Sequence, residues 1–273
     1  MSAPGAIRHA PTLRVGRDEA VAAIPSGYFE WIVHRRGEPV AFLATPLAAL
    51  GEGEELEVSV ELEAGASAAV TTQGPSALLK TRTAVLQRWR IRLGEGAHLT
   101  LLPWLALPYP GSRSRIEVHV ELAAGASLAA WEILAVGRVA LGERFRLEEL
   151  SSSWRILGPG GVLLLDDRMR VRGDDREDAE AALAGRTHIG TLYLAGFADD
   201  ALPLGAVREL LEGRLELVGA SRPARGLVVA RALDRSSERL ERGFGPVVAE
   251  ARRCAGRRRL DATDLARRWF GSA

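Results

Sequence analysis

Three times in the middle of the chain an alternating strand runs into the same turn. Glu57-Val58-Ser59-Val60-Glu61-Leu62 leads to Gly65-Ala66, and Arg88-Trp89-Arg90-Ile91-Arg92-Leu93 leads to Gly96-Ala97. Glu117-Val118-His119-Val120-Glu121-Leu122 then leads to Gly125-Ala126. The closing leucines stand at 62, 93 and 122, intervals of 31 and 29 residues. Each copy carries apolar side chains at every second position, so one face of each strand turns to a core and the other to water. The glycine three residues on supplies the conformation that redirects the chain into a second extended run. No unit can bury its face alone, and units recurring at a near-constant interval bury it against one another. The spacing therefore predicts a mainly β chain with a β-helix-like or layered β-sheet body. The competing arrangement is a set of hairpins recurring within a β-sandwich.

The remaining segments extend this plan. Residues 1–12 read as a loose tail and residues 13–273 as one domain, because no linker rich in Gly, Ser or Pro divides them. Strands are expected at Tyr28–His34 and Pro39–Pro46, with a turn at 51–55. Trp154–Leu157 and Val162–Leu165 flank Gly158-Pro159-Gly160-Gly161, a hairpin signal. The acidic run Asp174–Glu180 reads as a loop or short helix, followed by strands at Thr187–Ala195, Arg214–Ser221 and Gly226–Leu233. Leu204, Val207, Leu210 and Leu211 have helical spacing. So do Leu240, Val247, Val248 and Ala251, in a stripe expected to break near Pro246. Asp261 caps a last helix, 262–270. Two or three short C-terminal helices thus complete the body.

One stretch presents charge at bends. In Trp131–Phe145, Trp131, Ile133 and Ala135 share one strand face, with Glu132 and Leu134 on the other. Gly137 and Gly142 then bracket Val139-Ala140-Leu141, and Arg138 and Glu143 directly follow the two glycines. A solvated ion pair at a β-corner and a functional pair are both open on this spacing.

Composition excludes more than it assigns. Lys80 is the only lysine among 36 basic residues, a coding bias rather than a function, and the formal net charge is +1. No global field favours nucleic acid or an anionic membrane. One cysteine, Cys254, precludes an internal disulfide and fits a cytoplasmic setting. No apolar run approaches the roughly 20 residues of a spanning helix. Nucleophile elbows, phosphate loops and dinucleotide fingerprints are absent. His9, His34, His98, His119 and His188 lack ligand-pair spacing, so each is expected to be a surface or hydrogen-bonded structural histidine. Glu132, Glu143, Asp166 and Asp167 could meet across stacked strands and hold a divalent cation weakly. That supply predicts no tight metal site. A hydrolase or lyase pairing Glu143 with Asp166 has no nucleophile or cleft to support it.

Taken in order, Thr71-Thr72-Gln73, the Gly96-Ala97-x-Leu99 strand and Gly137-Arg138…Gly142-Glu143-Arg144-Phe145 resemble the UreD (UreH) family of urease accessory proteins. The similarity runs from about Leu56 to Val171, with a weaker echo in Thr187–Ala195 and Arg268-Trp269-Phe270. The resemblance implies a non-enzymatic scaffold that binds UreF, through it the GTPase UreG, and docks on apo-urease. It also allows a dimer of the accessory complex. Transient Ni2+ and no tightly bound cofactor are implied, with a nickel path corresponding to Thr72, Gln73, Glu132, Arg138, Glu143 and Asp166. The chain departs from the family pattern at 50–55, 74–80 and 101–110. Without that resemblance the alternative is a protein- or glycan-binding module using Trp104 and Tyr109. An uncovered apolar patch at Leu101–Tyr109 is expected to make the isolated chain poorly soluble.

Overall fold

The computed structural model describes residues 7–35, 37–45 and 49–257. The three repeats are successive coils of a two-sheet stack. Glu54–Leu62, Val85–Leu93 and Arg113–Leu122 pair in parallel in one sheet, and Ser67–Thr72, His98–Leu101 and Ser127–Ala135 pair in parallel in the other. Short strands Ser76–Leu78 and Ala106–Pro108 form a small side ladder. Gly65, Gly96 and Gly125 all have positive φ, so each turn places its second strand in the facing sheet.

The pairing is register-perfect across the repeat. Leu62, Leu93 and Leu122 lie side by side, as do Val60, Ile91 and Val120, and Val58, Trp89 and Val118. All nine are buried in the core between the sheets. On the solvent face the same register aligns Glu57 with Arg88 and Glu117, and Glu61 with Arg92 and Glu121. Arg88 Nη2 lies 2.8 Å from Glu117, and Arg92 Nε lies 3.3 Å from Glu121. Such exposed pairs contribute at most about 0.5 kcal/mol each, but a one-residue slip would bury the charges and expose the apolar rows.

Glu149–Leu157 adds a fourth parallel strand to the first sheet, and Leu163–Arg172 returns antiparallel through the Gly158–Gly161 turn. In the second sheet, His188–Ala195 runs antiparallel to Ser127–Ala135, followed by Leu227–Asp234 and Leu217–Ala224. Among the described residues three helices follow the stacked coils: α1 (Arg176–Ala182), α2 (Leu204–Glu212) and α3 (Ser237–Cys254). Leu240, Phe244, Val247 and Val248 of α3 pack with Trp131, Ile133 and Leu192 in a second core. Ser127–Ala135 is therefore buried on both faces along its whole length. Arg252 of α3, fully buried, donates to Thr100 Oγ1 at 2.6 Å and pairs with Glu38.

Three expectations change. The tail is not loose throughout: Ile7–His9 pairs in parallel with Glu54–Leu56, and Thr12–Val15 with Ser59–Leu62, because the first coil otherwise leaves an unpaired edge. Helix α3 runs through Pro246 without a break, since its buried stripe outweighs the roughly 3 kcal/mol that an interior proline costs. Leu101, Leu102 and Ala106 are buried, so the 101–109 segment is no open apolar patch. Among described residues the exposed large apolar side chains are instead Ile7, Ile24, Leu141, Val162, Leu163 and Leu217. The helix expected at 262–270 lies outside the described residues. No described helix is long and apolar enough to cross a membrane.

Ile91, 1% exposed between Val60 and Val120, tests the stacked core. Ile91→Ala should destabilise by about 3 kcal/mol in urea unfolding, against less than about 1 kcal/mol for Arg92→Ala on the solvent face.

Candidate functional site

Between the two sheets, at the end of the coils opposite the Gly-Ala turns, lies a cavity of about 310 Å³. Its wall is mostly apolar, with Trp89, Leu101, Leu134 and Trp154, and its polar residues include Thr72, Gln73, Gln87 and Glu132. The Thr-Thr-Gln segment forms one rim. Thr71 Oγ1 donates to the Leu102 carbonyl at 2.6 Å, and Thr72 Oγ1 accepts from the Trp104 N–H at 3.0 Å. Trp104 is itself a wall residue, and Trp131 Nε1 donates to the Pro103 carbonyl at 2.9 Å, holding that loop against the second sheet.

Glu132 is the chemically distinctive group. Alternation along Ser127–Ala135 sends Trp131 and Ile133 to the helices and turns Glu132 toward the first sheet. The Ser152 hydroxyl donates to its Oε1 at 2.5 Å across the gap between sheets. Burial pushes its carboxyl up to about 7; the Ser152 hydrogen bond opposes that shift and the negative charge of Asp167 adds to it. The indole of Trp154, another wall residue, acts with the Ser152 hydroxyl in favouring the charged carboxylate. A buried carboxyl facing a cavity suits a polar or charged visitor better than a dry core.

Asp167 lies next along this polar line. It accepts from the Tyr193 hydroxyl at 2.9 Å and pairs with Arg231, while the Tyr193 ring stacks on Trp154 at 4.3 Å. Asp166, Asp167 and Arg231 together line a groove at the surface. Asp166 itself is held by Arg168 at 2.9 and 3.0 Å. The sequence points to both aspartates as carboxylates able to meet Glu132, but only Asp166 was expected on the nickel path, and nothing in the sequence reading pointed to Ser152. The signal for Asp167 was present: on Leu163–Arg172 alternation turns the second aspartate of the pair inward.

Arg138 and Glu143 stand elsewhere. They form a bidentate pair at 2.6 and 2.8 Å on a two-strand corner, and the Arg138 guanidinium lies 4.2 Å over the Tyr109 ring. Gly137 has φ of 141°, and a Cβ there would collide with the Glu143 carbonyl, so the corner requires glycine. Thr72, Gln73, Trp104 and Glu132 are thus brought together at the cavity; Arg138, Glu143 and Tyr109 form a separate corner. Glu143 and Asp166 each have their own arginine partner. Among the described residues no three His, Cys, Asp or Glu side chains converge as a metal cage.

Residues 33–264 match the family model described as UreD urease accessory protein. The chain belongs to the UreD family. A urease accessory protein UreD of Alkalilimnicola ehrlichii is 34% identical over 203 residues, covering 73% of this chain and 69% of that protein. One from Dechloromonas aromatica is 31% identical over 220 residues, covering 78% and 75%. One from Anaeromyxobacter is 32% identical over 216 residues, covering 79% and 68%. The matched span contains the three coils, the cavity and the Arg138–Glu143 corner, so the UreD family relationship and the stacked fold concern the same residues.

The raised Glu132 carboxyl has a direct consequence for stability. The folded state keeps this proton to higher pH than the unfolded chain does, so folding loses stability as pH rises from about 4.5 to about 7 and no more above that. Glu132→Gln removes the titration. Its stability relative to the wild type should rise across that window, by up to about 3 kcal/mol, and level off above it in urea unfolding at stepped pH.

Proposed function

We propose that this protein is a non-catalytic scaffold of urease maturation. It bridges UreF, and through it the GTPase UreG, to apo-urease in the cytoplasm and routes nickel toward the urease active site. The observation that carries this reading is Glu132, a buried carboxyl turned into the inter-sheet cavity with Thr72 and Gln73 on the same wall. Asp167 and Asp166 continue the oxygen donors from that wall to the surface groove. A cation in transit needs ligands that replace part of its water and release it again. Carboxylate, hydroxyl and amide oxygens spread along a passage meet that need, and a closed cage of three or four strong ligands would not. Membership of the UreD family supports the maturation role.

The rigid coils suit bridging, because stacked strands hold distant surfaces at fixed separation. The Arg138–Glu143 corner, with Leu141 exposed at its tip, is the kind of preorganised projection a partner surface can receive.

The deciding experiment is a pull-down with apo-urease, UreF and UreG followed by nickel-dependent activation. Glu132→Gln should enter the complex normally and lower activated urease at least about tenfold at limiting nickel, the scale on which loss of a ligand-supporting group acts. Full activation by that variant would reject the nickel route, and failure of the wild-type chain to retain UreF or urease would reject the scaffold.

A further inference from the structure

A second polar cluster lies behind the cavity wall, built by a segment that the repeat does not include. His9 is on Ile7–His9, which pairs beside Glu54–Leu56, and it is 4% exposed. Its Nε2 lies 3.1 Å from Glu54 Oε1. The other oxygen of that carboxylate is already occupied: Glu54 Oε2 accepts from the Gly51 N–H at 2.6 Å and from the Tyr28 hydroxyl at 2.9 Å. Oε1 alone remains directed at the imidazole.

This cluster shares its wall with the cavity. The Tyr28 hydroxyl is 3.4 Å from the Ala49 carbonyl, and the His9 ring lies 5.2 Å from the Phe29 ring. Ala49, Phe29, Leu50 and Leu56 all line the cavity. The position of the imidazole is also built rather than incidental. Gly27 has φ of 61°, and a Cβ there would collide with His9 Nδ1, so the space for the ring exists only because residue 27 is glycine. The Ala10 N–H donates to Ser26 Oγ at 2.9 Å and fixes the chain just beyond His9.

From this geometry we propose that His9 Nε2 and Glu54 Oε1 form a two-ligand way station for a divalent transition cation behind the cavity wall formed by Phe29, Ala49, Leu50 and Leu56. The proposal rests on the nickel-routing reading above and extends it to a named site. A nitrogen and a carboxylate oxygen about 3 Å apart are already spaced as neighbouring ligands of one such ion, which sits between them in place of their mutual hydrogen bond. The remaining positions stay with water. Imidazole selects nickel over magnesium or calcium, and two protein ligands rather than four keep release easy. Coordination requires the His9 proton on Nδ1. Ile7–His9 is a three-residue edge strand with its first two residues exposed, so opening it to admit an ion disturbs little else.

The test is a nickel titration of the full chain, purified without a polyhistidine tag, by calorimetry and by NMR of the histidine imidazoles. Nickel should broaden the His9 imidazole signals first. His9→Gln and Glu54→Gln, checked for an unchanged melting midpoint, should weaken the tightest nickel event at least about tenfold, or about 1.4 kcal/mol. Glu132→Gln should leave that event in place. Unperturbed His9 signals at stoichiometric nickel, or equal affinity in wild type and His9→Gln, would overturn the way station. If either variant does not fold, the wild-type NMR result decides alone. Loss of urease activation in Glu132→Gln together with silent His9 signals would keep the nickel route and remove this site from it. Nickel uptake at His9 with full activation by Glu132→Gln would do the reverse.

Discussion

Everything in this molecule depends on parallel strands that stack in register. When Leu62, Leu93 and Leu122 lie side by side, every inward residue of one coil meets the matching residue of the next. Backbone hydrogen bonds set the spacing between coils, and the apolar rows set which face turns in. The charge rows on the solvent face add little energy but oppose the wrong register. A fixed stack of this kind can carry a cavity between its sheets, because the walls are held by ladders on both sides rather than by side chains collapsing into the gap.

Against that apolar background a buried carboxyl is expensive, and the structure shows how the expense is contained. Glu132 receives a hydroxyl from Ser152 and is driven toward its neutral form, while Asp167 pairs with Arg231 and accepts from the Tyr193 hydroxyl. One carboxyl is desolvated and the next is paired. On the proposed reading, a cation in passage meets one of each kind. The Arg252–Glu38 pair is a different use of buried charge: it ties α3 to the turn before Val40–Ala44 and so clamps the helical layer onto the second sheet.

Much of the fold was legible in the sequence because it repeats. Alternation and the recurrent Leu-x-x-Gly-Ala turn identified the coils, and Gly158-Pro159-Gly160-Gly161 identified the hairpin. The late strands and the helices within the described residues were placed to within a few residues. The misjudged pieces have one cause in common, which is tertiary contact. Ile7–His9 is a strand only because the first coil has a free edge, and α3 passes through Pro246 only because its stripe is buried. The 101–109 segment looked exposed because its cover comes from Trp131 and the neighbouring coil. Thr72, Gln73 and Glu132, singled out in the sequence, line one cavity. The separate corner of Arg138, Glu143 and Tyr109 could not be told from them by spacing.

The sequence by itself determined the repeat, the inward faces, the bends at Gly137 and Gly142, and the kind of chemistry on offer: oxygen ligands and few histidines. Those are local properties, carried by periodicity and by what each side chain can do. Only the tertiary structure decided which carboxylates face the cavity, which are neutralised by an arginine, and that His9 from one end of the chain lies against Glu54. Such facts depend on register between strands tens of residues apart, and a one-residue shift that leaves the composition untouched would reverse every one of them.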